Sequence, residues 1–126
     1  MSEHPHPLKV RIEDKGELVR VKFDDGHDVV IVPYNPRAVF QCWVRYIKFY
    51  RGDTKVAQFN SRIDGRDFNE LQTCDSAYTP GQLAEYLDLA IRYIRWLVRA
   101  YPVGLHYADM VAGASDSALE VMRHAD

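Results

Sequence analysis

The sequence predicts an α+β fold, an antiparallel β-sheet with helices packed on one face, and three features carry that reading. Residues 8–32 alternate apolar and charged side chains between turns that contain glycine. Residues 79–101 are apolar around most of a helical wheel. A run of strand patterns at the start of the chain is followed by a run of helical patterns towards its end, the order of an α+β layout. The expected sheet is an N-terminal three-stranded meander plus one later strand. The helices include one long helix over about 80–101.

The first two strands are LKVRIE and ELVRVKF, where Leu8, Val10 and Ile12, then Leu18, Val19, Val21 and Phe23, give the period of two that marks a sheet with one wet face. Asp14-Lys15-Gly16 and Asp24-Asp25-Gly26-His27 place a glycine where each short hairpin needs one. The third strand, Asp28 to Val32, is continuously apolar at Val29, Val30, Ile31 and Val32, which predicts a central position. Asn35-Pro36 reads as a helix cap followed by proline at the first helical position. The spacing of Arg37, Gln41, Arg45 and Lys48 is helical, so a helix is expected from Pro36 to Arg51, although its β-branched and aromatic content favours strand. Residues 54–62 read as another strand. Asp67 and Glu70 form a capping-box pattern for a short helix before Cys74.

Thr79 and Pro80 open the long helix, and Pro102 and Gly104 close it. At 100° per residue, Glu85, Asp88, Arg92, Arg95 and Arg99 fall into one narrow polar arc. Leu83, Leu87, Ala90, Ile91, Ile94, Leu97 and Val98 form the inner stripe, flanked by a second stripe of Tyr86, Leu89, Tyr93 and Trp96. A helix this apolar must be covered on more than one side, by its own chain or by a partner. One or two short helices follow, with Ser115 as the expected cap of Asp116 to His124.

One domain is expected over residues 8–126, preceded by a flexible tail, 1–7. Hydrophobic residues at 47%, charged residues at 27% and a net charge of −2 exclude a disordered or collagen-like chain. No apolar run is long enough to span a bilayer, and MSEHPHPLKV lacks the apolar core of a secretory signal, so a cytoplasmic location and no membrane partner are expected. Cys42 and Cys74 fit neither a disulfide framework nor a zinc site and read as free thiols. Charge alternates along the chain: −2 over residues 1–35, +4 over 36–55, −4 over 56–91, +3 over 92–101 and −3 over 102–126. Alternation of this kind places basic elements beside acidic loops of the same molecule.

No nucleophile elbow, phosphate loop or HExxH pattern is present, so no catalytic residue, metal site or cofactor is assigned. Ser2-Glu3-His4 would offer a square-planar copper or nickel site once Met1 is removed, but any short tail with histidine in that place would do the same. The turn Asp24 to Asp28 bunches carboxylates with His27 and reads as a solvated hairpin turn. His106 beside Tyr107 and Asp109 is more simply a partner of the last helix carbonyls than a catalytic group. The leading expectation is a small non-enzymatic protein-binding module of the inhibitor, immunity, adaptor or chaperone type. It would bind a protein partner or itself as a homodimer through Tyr86, Leu89, Tyr93 and Trp96. Two alternatives stand beside it. Arg37, Arg45, Lys48 and Arg51 could bind nucleic acid, although on a helix they face away from Trp43, Tyr46 and Tyr50. A small enzyme could assemble its site from distant residues such as Tyr34, Asp67, His106 and Asp109.

Overall fold

The computed structural model describes residues 5–13, 18–33, 44–63, 66–101 and 106–124. Six strands come first: β1 (Pro7–Glu13), β2 (Leu18–Phe23), β3 (His27–Pro33), β4 (Val44–Arg51), β5 (Thr54–Ile63) and β6 (Arg66–Thr73). Three helices follow: α1 (Pro80–Ala100), α2 (His106–Ala114) and α3 (Asp116–Arg123). The strands pair antiparallel in sequence order, a single six-stranded meander. The α+β class holds, and the sheet is two strands larger than the four expected.

Alternation sorts the sheet into two faces. Val19, Val21, Phe23, Val29, Ile31, Ile47, Phe49, Ala57 and Phe59 point to the helix layer, all within 4% of full burial. α1 lays Leu83, Leu87, Ala90, Ile91 and Ile94 on that surface, and Val111, Ala112, Ala118, Leu119 and Met122 of α2 and α3 cover its other side. The chain itself thus satisfies most of the demand for two-sided cover that the helix composition makes. The start of α1 is as expected. Gln82 N donates to Thr79 Oγ1 at 3.2 Å, and Thr79 N donates to Gln82 Oε1 at 2.9 Å, a complete capping box ahead of Pro80. Tyr101 N donates to Leu97 O at the other end. Pro102 and Gly104 lie outside the described residues.

Three expectations are corrected. The helix from Pro36 to Arg51 is absent wherever that span is described: Val44–Arg51 is β4, paired on one side with β3 and on the other with β5. Ile47 and Phe49 enter the core, so burial on a pleated surface decides the conformation that the aromatic and β-branched content already favoured. The helix-like spacing of its cations has another origin. Arg45 is an extra residue at a bulge opposite Val32 and Pro33, Lys48 lies on a regular pair, and Arg51 ends the strand before Gly52 turns with φ +60°. The Pro36 start and Arg37 lie outside the described residues.

The Asp67–Glu70 pattern does not cap a helix, because Arg66–Thr73 pairs along β5 with Glu70 opposite Asn60. A two-residue capping pattern cannot outweigh backbone bonds along a whole strand. Ser115 precedes α3 in place but does not cap it. Its backbone is helical, and its hydroxyl donates instead to Val111 O at 2.8 Å, inside the core. The central position of β3 is as expected, with Val29, Val30 and Ile31 buried.

Candidate functional site

α1 runs alongside β1, the edge strand, and the two elements build an apolar flank. At Leu8 the β1–β2 register slips by one residue, leaving a bulge, and the Tyr93 hydroxyl donates to Leu8 O at 3.0 Å. Tyr93 stacks on Trp96 with ring centroids 6.1 Å apart. Further along, Val10 of β1 meets Ile94, Leu97 and Val98 of α1 and Ala108 of α2. The expected stripe is therefore divided. Tyr86 packs edge-on against Phe23, Leu89 and Tyr93 are half-buried against the core, and Trp96 is 52% exposed. Leu8, whose carbonyl Tyr93 holds, is 61% exposed, and elsewhere on the two elements Ile12 of β1 is 40% and Tyr101, at the end of α1, 64% exposed. Arg92 and Arg99 sit one turn to either side of Trp96, with Arg92 held by Asp88 at 3.1 Å.

Where α1 begins, a polar cluster joins it to the β2–β3 turn. His27 Nε2 lies 2.6 Å from the Tyr78 hydroxyl, and Nδ1 lies 3.1 Å from the Tyr86 hydroxyl and 3.2 Å from Asp25 Oδ1. Tyr86 donates to Asp25 Oδ2 at 2.5 Å, Arg51 Nη1 donates to Tyr78 at 3.3 Å, and Arg51 also reaches Asp75. One proton arrangement satisfies every member: Tyr78 donates to Nε2, Nδ1 donates to the Tyr86 oxygen, and Tyr86 donates to the carboxylate. Burial and the Asp25 carboxylate push the Tyr86 phenol well above its usual range. Burial alone would raise Asp25, but hydrogen bonds from Tyr86 and the His27 backbone hold it below the ordinary carboxylate value.

The cluster has the residue types of acid–base chemistry, but each polar atom already has its partner within the group, which makes it a pin between turn and helix. Asp24 to Gly26 form the exposed hairpin turn expected, but the His27 side chain is only 16% exposed and Asp28 is buried. Sequence spacing could not reveal the pin, because Asp25 and His27 meet Tyr78 and Tyr86 across 51 to 61 residues.

Among the described residues no helix covers the opposite face of the sheet. Cross-strand partners share a face, so the registers define it as rows. Lys9, Lys22, Asp28, Tyr50 and Lys55 form one row, and Arg11, Arg20, Val30, Lys48 and Gln58 the next. In the third, Tyr46 lies opposite Val32 and Asn60, and Asn60 opposite Glu70. Arg20 lies 5.5 Å from the centre of the Tyr50 ring, and Arg45 and Lys48 lie 5.1 and 5.7 Å from that of Tyr46. Asp28, 6% exposed, is held by Arg20 at 2.8 Å and Lys22 at 3.2 Å. Burial alone would lower the Arg20 pKa, but its bonds to Glu13 and Asp28 carry it above the usual value.

Of the residues weighed for nucleic acid, Arg45 and Lys48 accompany this face, Arg51 leans instead toward Tyr78, and Arg37 lies outside the described residues. Of those weighed for an enzyme, Tyr34 lies outside them. Asp67 falls in β6 and His106 opens α2, with side chains outside the description, and Asp109 is half-buried in α2. Cys74 is an exposed free thiol, and Cys42 lies outside the described residues. No described helix is long and apolar enough to cross a membrane. Compared with family models, curated proteins and solved structures, the chain matches none.

Proposed function

We propose that this chain is a non-enzymatic, cytoplasmic protein-binding module that pairs with a second copy of itself through the α1–β1 flank. The observation that carries the reading is Trp96, half-exposed on a helix whose inner face is sealed, stacked on a Tyr93 that is itself tied to β1. Tyr and Trp anchors held rigid by their neighbours lose little entropy on docking. Trp96 shows about half of a side chain of roughly 250 Å², and Leu8, whose carbonyl is held by the Tyr93 on which Trp96 stacks, is 61% exposed, an apolar centre for a polar rim. A two-fold pair uses the same patch twice and needs no second kind of surface.

Pairing makes thermal stability depend on protein concentration. The wild-type midpoint is expected to rise across a hundredfold concentration series, and that of Trp96→Asp to stay constant. A wild-type midpoint that does not move over the series contradicts self-association.

A further inference from the structure

The face of the sheet away from α1, α2 and α3 carries a charge pattern that folding does not explain. Lys9 stands directly opposite Lys22, and Arg11 directly opposite Arg20. Like charges in such positions repel. Glu13 and Asp28 answer Arg20 and Lys22. Lys9 and Arg11 are exposed and have no carboxylate within ion-pair distance among the described residues. Beyond them lie Lys48 and Lys55, and on β4 the half-buried rings of Tyr46 and Tyr50 flank Lys48. On a helix these rings and cations would diverge. On β4, Tyr46, Lys48 and Tyr50 are at alternate positions and share one side.

We infer that this face binds single-stranded nucleic acid, with Lys9, Arg11, Lys22 and Lys48 on the phosphates and Tyr46 and Tyr50 beneath the bases. Charge complementarity selects a polyanion, since the face is basic in a chain whose net charge is −2. The two rings select a strand with open bases. Tyr46 and Tyr50, four residues apart on an extended strand, are spaced about 13 Å and offer two stacking positions on one line. A duplex hides its bases from such a platform and presents phosphates alone. The inference uses the face opposite the helix layer and does not depend on pairing through Trp96.

The test is fluorescence anisotropy of a labelled 20-nucleotide oligouridylate with the full chain between 50 and 200 mM salt. Four phosphate contacts give a slope of log affinity on log salt near about −2.8, a weakening of about 50-fold across that range. Lys9→Glu with Arg11→Glu, both exposed and remote from the core, is expected to weaken binding at 50 mM salt and to cut the slope to about −1.4. Tyr50→Leu is expected to weaken binding without changing the slope, circular dichroism showing both variants folded. No binding at 50 mM salt overturns the inference, as does binding unchanged by the double charge reversal. Binding of a duplex of equal length as tightly as the single strand also overturns it, leaving only a general attraction for polyanions.

Discussion

Replacing Tyr86 with Phe removes one oxygen and leaves the ring that packs at 90° on Phe23. The lost group donates to Asp25 at 2.5 Å and lies 3.1 Å from His27 Nδ1. A hydrogen bond to a charged acceptor contributes about 1.5–3 kcal/mol when buried. Asp25 is 35% exposed, so solvent screens the bond and the expected loss falls to about 1 kcal/mol at pH 7. For a domain of this size that lowers the melting midpoint by about 4 °C.

The pH dependence identifies the bond. Asp25 has a folded pKa below its ordinary 3.8, so its stabilisation is present above that value and lost as pH falls through the lowered one. Tyr86 has a folded pKa above its ordinary 10.0, so its contribution is complete below 10 and declines as pH climbs past it. Urea unfolding followed by circular dichroism should show wild type and Tyr86→Phe separated at pH 7 and converging as pH falls below the ordinary carboxylate range. The alkaline decline should be shallower in the variant. A separation that widens as the solution is acidified would refute the carboxylate bond as the source of the effect.

The strand assignment of β4 predicts alternation along it: Phe49→Ala, at a core position, should cost about 3–5 kcal/mol in urea unfolding, and Tyr50→Ala next to it no more than about 1.5 kcal/mol. A helix would not separate these neighbours in that way. Two glycines surrounded by open space should respond in opposite senses to alanine, because only Gly52 has positive φ. Gly52→Ala should lower stability by about 1 kcal/mol, and Gly113→Ala, near the end of α2, should raise it by about 0.5 kcal/mol, both read as shifts in the melting midpoint.

Signals confined to a few residues were the legible part of this fold. The alternation of β2, the apolar run of β3, the Thr79-Pro80 start and the inner stripe of α1 each state a local preference that the tertiary structure honours. β4 and β6 were misread where a short polar pattern competed with pairing partners that the pattern does not reveal. Arg45 mimicked a helical period because a bulge displaced it by one position, and Asp67 with Glu70 mimicked a cap inside a strand. The apolar stripe of the long helix was visible, but not how it would be divided. That Tyr86 meets Asp25 and Tyr93 meets Leu8, leaving Trp96 outside, depends on a turn and an edge strand more than sixty residues earlier. The helical reading of β4 also hides the shared side of Tyr46, Lys48 and Tyr50, which only a strand brings together.

The central claim, that the α1–β1 flank is a docking surface for a second copy, is tested most directly by the mass of the particle in solution. Light scattering on the wild-type chain eluting from a size-exclusion column should give twice the 14.6 kDa of one chain, and Trp96→Asp, with its circular dichroism unchanged, should give the single-chain value. A wild type of single-chain mass at concentrations up to about a millimolar, the weak limit of specific pairing, would contradict the claim, as would a Trp96→Asp variant that keeps the doubled mass.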